Sequence, residues 1–508
     1  MTTGQVALVA VLAVPAVGAV AVAALTRRAD RTARVVATVV AAVAFLISLA
    51  LYGIGDRGWV RYQAEAAGPG ILPWHELDLT WVPGLDLRFH LGVDGISYPL
   101  VVLTTLLTLL CCAYSLRHVP AGGPGGYLVA LLLVIEVGIV GTFLALDLVL
   151  FFVFFEVVLL PMFVVIAGWG GEDRRRAARK FVLYTLFGSV LLLVGVVTVV
   201  AAAGTADIVA LTGGTNLSRT TQLAAFVLLA VAFAVKSPLW PLHTWLPDAH
   251  TQAPTVGSVI LAGVLLKMGT YGIIRIAVGV APEGARWAAP VLGVLAVAAV
   301  VVGSLVCLRQ TDLKRLIAYS SVGHMGFVLL GVATLTATGI EAALIGNVAH
   351  GVITGLLFFL AGAIKDRLHT GSLTELGGLR ERLPALSGLF AFAAVASLGL
   401  PGLAGFWGEA FAVVAALQRG GPLWTTLAVV AAVGGALTAA YFLRLLRRLT
   451  HGPASPVVAA TPAAPIGAGE LVAWSPLVVL ALAVGLIPAL VLGVAGAPVE
   501  ALTGVLGQ

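Results

Sequence analysis

Long apolar runs alternate with short polar breaks along almost the whole of this chain. The breaks carry charged residues or Gly and Pro. They delimit apolar segments at about 4–25, 33–53, 95–116, 126–145, 147–170, 180–203, 223–247, 254–280, 286–308, 314–335, 338–364, 384–418, 423–443 and 473–494. Crossing a bilayer takes about 20 apolar residues at about 1.5 Å rise each, so each run predicts one membrane-spanning helix. The fold class expected is thus an all-α polytopic membrane protein of about fourteen spans, numbered one to fourteen below. Within the long segment 54–94, Leu77, Leu79 and Trp81 alternate with Asp78 and Thr80. After Pro83-Gly84, Leu85, Leu87, Phe89 and Leu91 alternate with Asp86, Arg88 and His90. Period two on both sides of a Pro-Gly turn predicts a small β-hairpin over 76–91. An isolated hairpin is marginal, so it is expected to pack on its own helices or on a neighbouring subunit. Residues 452–470, rich in Pro, Ala and Gly, predict a flexible connector to the last span.

Composition excludes a soluble domain. Of 508 residues 60% are hydrophobic and only 10% charged, with mean hydropathy +1.07; soluble proteins carry about a quarter charged residues. The net charge of +6 does not imply nucleic acid, because the basic residues sit in short loops between spans rather than on one face. Cys111, Cys112 and Cys307 lie in or beside apolar segments and show no metal or disulfide spacing. No basic region or cleavage site of a signal peptide opens the chain, so residues 4–25 are expected to be a retained first span.

Lysine and arginine set the orientation. With the N-terminus outside, the inner loops hold twenty of the 29 basic residues, among them Arg174, Arg175, Arg176, Arg179 and Lys180 in one loop and Lys365, Arg367, Arg380 and Arg382 in another. The outer side holds seven: Arg57, Arg61, Arg88, Arg219, Arg275, Arg286 and Arg419. An even number of spans puts the C-terminus outside too. The remaining two, Lys236 and Lys267, fall inside the membrane.

They are not alone there. Glu136 and Glu156 lie about ten residues into spans four and five, and Lys236, Lys267, His324 and His350 fall near the middles of spans seven, eight, ten and eleven. Glu409 lies beyond the middle of span twelve. An ionisable group at that depth costs roughly 2.5–3.5 kcal/mol on insertion scales. Desolvation lowers a lysine pKa and a carboxylate neighbour raises it again, while histidine already titrates near neutral pH. A file of Glu, Lys, Lys, His and His is the composition of a proton relay with water bridging the gaps. The competing account is an inert buried ion pair such as Glu156–Lys236, with the histidines as interhelical hydrogen-bond donors. Glu136 is divided evenly between the two.

Two spans look interrupted. In AFAVKSPLWPLHTWLP (232–247), Pro238 and Pro241 break the helix directly after Lys236; in SLGLPGLAGFWGEA (397–410), Gly399, Pro401, Gly402 and Gly405 break span twelve before Glu409. Proline removes a donor and clashes with the preceding turn, which exposes carbonyls and helix ends beside the charge. Broken helices at matching places in two halves suggest an inverted-repeat transporter, here spans four to eight and nine to thirteen; ordinary proline kinks are the simpler reading. No GxGxxG motif follows a strand, no Walker sequence is present, and no Cys or His cluster suits iron–sulfur or haem. The expectation is a chain that moves ions and draws its energy from a partner or another ion gradient.

FFVFFEVVLLPMFVVIAGWG (151–170), AVKSPLWPLHTWLPDAHTQAPTVGSVILAGVLLKMGTYGIIR (234–275), DLKRLIAYSSVGHMGF (312–327) and LPGLAGFWGE (400–409) resemble the antiporter-like subunits of respiratory complex I, over roughly residues 90–450. The resemblance implies fourteen helices with two inverted five-helix repeats and broken helices seven and twelve. It divides the chain into residues 1–125 with an outer hairpin at 76–91 that links neighbouring subunits, repeats at 126–280 and 281–450, and a connector with helix fourteen at 451–508. By motif, Glu156 is the glutamate paired with Lys236, Lys267 is the central lysine, His324 and His350 continue the polar axis, and Glu409 is the exit residue. It also implies a bacterial plasma-membrane arm shared with sibling subunits L and N. FMN, iron–sulfur clusters and quinone belong to partner subunits, and no cofactor is expected here. The L and N siblings usually have lysine at the exit position, and L has a long C-terminal lateral helix for which no room is expected after residue 494. Two alternatives stay open: a subunit of a multi-subunit cation/proton antiporter or membrane-bound hydrogenase, and a scaffold without transport.

Overall fold

The computed structural model describes residues 1–53, 70, 71, 73–85, 87–214, 216–462 and 465–506. The expectations at Arg57, Arg61 and Asp86 lie outside the described residues. Each predicted span is a helix or a pair of helices. Twelve helices among the described residues are long and apolar enough to cross a membrane, from Thr3–Thr26 to Ala468–Leu486. Span three is the shorter helix Tyr98–Tyr114, and span twelve is divided into Pro384–Ala396 and Gly405–Arg419. Span seven is divided likewise, into Arg219–Lys236 and Trp245–Gln252.

The hairpin forms as its period predicts. Strands β1 (His75–Val82) and β2 (Leu87–Val93) pair antiparallel, with Leu77 opposite Leu91, across a turn at Pro83–Leu85. Leu77 is buried, whereas Leu79 and Trp81 are about half exposed. The hairpin rests on the loop before span five, where the Leu146 amide donates to the His90 carbonyl.

Two isolated β-bridges reveal the internal repeat. Asp147 pairs with Asp207, joining the loop before span five to the loop after span six. Asp312 pairs with Ser372, joining the loop before span ten to the loop after span eleven. The hydrogen bonds correspond: the Leu148 amide donates to Ala206 O at 2.8 Å and that of Leu313 to Gly371 O at 2.9 Å. Both aspartates also cap the helices they precede, Asp147 through the amides of Val149 and Leu150 and Asp312 through that of Arg315. The first bridge lies on the hairpin face. The second lies five crossings later, on the face that carries Arg309, Lys314 and Arg315, so the repeats are inverted.

Spans eight, ten and eleven form the centre. The apolar window of span eight is wholly buried, and those of spans ten and eleven are 94% buried. Spans one, two and six keep at most 44% of theirs covered and leave residues such as Leu183 and Val197 exposed, as lipid-facing helices do. The chain thus encloses the three helices that carry Lys267, His324 and His350.

Two expectations change. The last span ends at Leu486, not near 494, and a further helix, Ala489–Val505, follows. Pro488 lacks a backbone donor and disfavours helix at Ile487, whose φ is −129°. The added helix buries Val491, Ala495 and Val499, and its trailing Leu506 carbonyl accepts from Arg286 Nη2 at 2.9 Å. The segment expected to be a flexible connector is tied down at its start: Ser455 N donates to Gly377 O at 3.0 Å, and Pro456–Ala460 is a short helix.

Candidate functional site

Lys236 is the last residue of the first half of span seven, and the prolines that follow end the helix there. The Val235 carbonyl left without an intrahelical donor accepts from Trp245 Nε1 at 3.0 Å, so the second half-helix caps the first. Lys236 is 3% exposed. Its Nζ lies 4.7 Å from the centroid of the Phe155 ring, a cation–π contact. Glu156, next along span five, instead accepts the hydroxyl of Ser189. Among the described residues, Glu156 and Lys236 form no ion pair within 4.0 Å, although the Glu156 charge acts on Lys236 across the gap. The two groups implied as a pair by the resemblance thus face each other without a direct ion pair, Glu156 bonded to Ser189 and Lys236 set over Phe155.

Lys267 is held differently. Span eight widens into π-helical turns at Leu261–Leu265 and Ile273–Val278, on either side of the lysine. The widened turn leaves the Ala262 carbonyl to accept from Lys267 Nζ at 2.5 Å. The same Nζ lies 2.6 Å from His350 Nδ1 on span eleven. An ammonium can only donate and a neutral imidazole nitrogen without hydrogen can only accept, so in that state Lys267 donates to His350 Nδ1 and a proton can pass directly between the two. Thr270 Oγ1 donates to Asn347 Oδ1 at 3.0 Å one turn along the same two helices.

The contacts continue into the second repeat. The His324 and His350 rings lie 5.9 Å apart by centroid, and His324 Nδ1 is 2.8 Å from Glu409 Oε1. A cavity of about 30 Å³ lies among His324, His350, Thr354, Ser397 and Glu409, room for one or two waters. His350 Nε2 and His324 Nε2 have no partner among the described residues, which leaves both able to bond such a water. Glycine makes the approach feasible. Gly408 packs against Gly346, where an added Cβ would come within 2.5 Å of the facing Cα. Gly399 adopts φ +69° at the helix break, and a Cβ there would lie 2.7 Å from Glu409 Oε2.

Of the seven candidates, four form this chain of contacts (Lys267, His350, His324 and Glu409). Glu156 and Lys236 sit near each other without touching. Glu136 stands apart: it is fully buried on span four, and neither carboxyl oxygen has a hydrogen-bond partner among the described residues. Three features went unread in the sequence. Ser189 on span six partners Glu156. Arg275 and Asp94, both almost fully buried, form an ion pair near the hairpin face. His250, on the second half of span seven, is completely buried with neither ring nitrogen partnered. Its place three residues after Pro247, the last proline of a broken helix, was the available signal.

Outside the membrane the hairpin carries its own cluster. His90 is 2% exposed, with Nε2 2.6 Å from Glu76 Oε1 and Nδ1 3.5 Å from Asp207 Oδ2. Burial alone would lower the His90 pKa, but the neighbouring carboxylates of Asp207 and Glu76 outweigh it and raise the group above its ordinary value. Burial pushes Asp207 up, yet His90 and the Ala210 and Val209 amides hold it below the usual carboxylate range.

Comparison with known proteins places this geometry. Residues 145–435 match the sequence profile of the family described as NADH:quinone oxidoreductase/Mrp antiporter, TM. The chain is similar to NADH-quinone oxidoreductase subunit M of Rhodobacter capsulatus, 42% identical over 466 residues, covering 89% of this chain and 87% of that protein. It is 41% identical over 434 residues to NAD(P)H-quinone oxidoreductase chain 4 1 of Synechococcus sp. (strain JA-3-3Ab), with 80% of this chain and 82% of that one covered. In structure it resembles a chain of respiratory complex I from Thermus thermophilus with bound NADH, with a TM-score of 0.86 and 29% identity over 99% of this chain and 100% of that one.

Proposed function

The chain belongs to the NADH:quinone oxidoreductase/Mrp antiporter transmembrane family, as a subunit of the M or chain 4 kind, and from that premise we propose how it moves protons. It is a proton-translocating membrane-arm subunit of an NADH-quinone oxidoreductase. Protons pass along Glu156, Lys236, Lys267, His350, His324 and Glu409. The observation that carries this reading is the sequence of contacts from Lys267 through His350 and His324, on the three most buried helices of the fold, to Glu409 on span twelve.

The chemistry follows from the donor and acceptor inventory. Lys267 passes its proton to His350 Nδ1, water in the 30 Å³ cavity joins the two imidazoles, and His324 hands on to the Glu409 carboxylate. Lys236 takes the corresponding position in the first repeat, where the distant Glu156 biases its charge. Glu136 is a reserve member of this set, supported only by its burial.

The energy comes from NADH oxidation and quinone reduction on partner subunits that hold FMN and iron–sulfur clusters; this chain has no redox site of its own. Its neighbours are the L and N siblings, with the exposed Leu79 and Trp81 of the hairpin available to an adjacent subunit. Residues 1–125, 126–280, 281–450 and 451–508 are the working divisions. The arginine-rich face is the inner side of a bacterial plasma membrane and both termini lie outside. The decisive test is Lys267→Ala in the assembled complex, reconstituted in vesicles. Pumping and coupled quinone reduction should be lost with assembly intact. Pumping at the wild-type ratio of protons to electrons would overturn the relay. Co-purification with flavin and iron–sulfur subunits distinguishes this role from that of an antiporter subunit.

A further inference from the structure

A relay that met water on both faces at once would drain the gradient it builds. The hairpin end of span eight therefore has to stop protons as surely as its middle passes them. The buried pair of Arg275 and Asp94 stands at that end, and the relay does not use it. Arg275 lies eight residues beyond Lys267 on span eight, about 12 Å along the axis at 1.5 Å per residue. It is 2% exposed and Asp94 is 3% exposed. Asp94 directly follows strand β2, which fixes the pair on the hairpin face. The second π-helical turn, Ile273–Val278, carries Arg275, so the guanidinium sits where span eight is widened rather than regular.

The groups of the pair are held in place. Asp94 Oδ2 accepts from Arg275 Nη2, and Asp94 Oδ1 accepts from the amides of Ile96 and Ser97, both at 3.0 Å. The guanidinium lies 5.8 Å from the centroid of the Tyr271 ring, whose hydroxyl donates to Phe143 O at 3.0 Å. The helix Ala489–Val505 roofs the site, since a Cβ on Gly95 would come within 1.7 Å of Val494 O. Arg275 Nε has no partner among the described residues, which leaves it able to donate to a water. A guanidinium keeps its protons at physiological pH and accepts none. It turns the oxygen of a neighbouring water toward itself, while both oxygens of the carboxylate beside it are already occupied. Neither member of the pair can take a proton from one side and release it on the other.

We infer that the Arg275–Asp94 pair is a proton barrier that closes the hairpin end of span eight, so that a proton leaving Lys267 goes to His350 and not straight to the hairpin face. The fixed cation repels an approaching proton, and the occupied carboxylate offers it no landing place. Without the guanidinium, Asp94 would become a titratable carboxyl between Lys267 and the hairpin face, and the barrier would turn into a step. The pair itself makes and breaks no bond during turnover. The inference rests on the relay reading above and adds a direction to it.

The test uses the assembled complex in vesicles without NADH. Potassium and valinomycin clamp the membrane potential, and a trapped pH dye follows the decay of an imposed pH gradient. Arg275→Gln keeps a donor for Asp94 but no charge. Arg275→Gln combined with Asp94→Asn leaves no unpaired charge and serves where the single variant fails to assemble. The gradient should decay about fivefold faster than in wild type in the single variant and about twofold faster in the combined one. Tyr271→Phe removes a hydroxyl from the same wall and leaves the guanidinium in place, so its gradient should persist as in wild type. With NADH and quinone supplied, the Arg275 variants should still reduce quinone but store a smaller gradient per electron. Wild-type decay in every Arg275 variant that assembles would overturn the barrier. Equally fast decay in Tyr271→Phe would overturn it too, by assigning the seal to packing. Adding Lys267→Ala to an Arg275 variant should restore the seal, and a leak that persists there would overturn the barrier's place on the relay. Pumping that survives Lys267→Ala alone refutes the relay, whereas pumping lost there alongside tight Arg275 variants refutes only the barrier.

Discussion

In the first repeat, Glu156 is bonded to the Ser189 hydroxyl and Lys236 lies over the Phe155 ring, and the two charges form no ion pair within 4.0 Å among the described residues. In the second, His324 and Glu409 share a 2.8 Å hydrogen bond, and the His324 ring meets that of His350 edge-on at 5.9 Å between centroids. Two unit charges 4 Å apart interact by about 4 kcal/mol at an effective dielectric constant near 20, and less as they separate. The slope of that energy falls with the inverse square of the distance, so a separated pair gives a weaker and flatter bias on charge, whereas a touching pair is sensitive to position and offers a proton a direct path. The first half is built to bias a charge and the second to pass a proton on, although both grow from a broken helix with a charged residue beside the break.

That contrast can be broken in measurable ways. Lys236→Ala removes the only cation of the separated pair, and general acid–base groups of this kind contribute about 10²–10⁴-fold. Pumping and coupled quinone reduction should fall to below a tenth of wild type while the complex still assembles, read by a pH-sensitive dye in vesicles. Glu409→Gln keeps an oxygen to accept from His324 but exchanges a charged hydrogen bond for a neutral one. The difference is about 1–1.5 kcal/mol, so turnover should drop by about tenfold. Ser189→Ala deprives Glu156 of its hydroxyl donor, about 1 kcal/mol, and should slow pumping by about three- to fivefold without altering the His324–Glu409 end.

The smallest effect concerns pH at the two β-bridges. His90 has a raised pKa in the folded chain, so its stabilisation is complete below its ordinary value near 6.5 and is lost as pH climbs through the raised value. Asp207 has a lowered one, so its share is present above the ordinary carboxylate range and disappears as pH falls through the folded value. Between pH 6 and 9, amide exchange corrected for intrinsic rate should therefore rise at residues 87–93 and 206–208 but not at 371–373. The bridge at Asp312 and Ser372 contains no histidine, and His90→Gln should abolish the difference.

Hydropathy made most of the fold legible, because lipid imposes one simple demand on every helix. The hairpin was legible for the same kind of reason, since period two needs nothing beyond the local chain. The last span was misjudged because an apolar stretch running through Pro488 looks continuous to a hydropathy window, although the backbone breaks there. All seven charged candidates were visible as costly charges, but partner choice was not. Nothing in sequence says that Glu156 prefers Ser189, or that Lys267 meets a histidine 83 residues away. Those pairings depend on π-helical widening in span eight and on the close approach at Gly346 and Gly408, features of packing rather than of pattern. His250 escaped notice because a lone histidine in a broken helix resembles any other satisfied core histidine until its empty nitrogens are seen.

The paired bridges have one more consequence. Asp147 to Asp207 and Asp312 to Ser372 each close a ring of the same circumference, 60 residues, and the second ring begins 165 residues after the first. Rings matched in length and clasped on opposite faces carry the internal symmetry into the loops as well as the helices. A change of chain length inside one ring has to be taken up in the loop that joins its two helices, such as 170–173 in the first or 335–336 in the second, if the clasp is to keep its register.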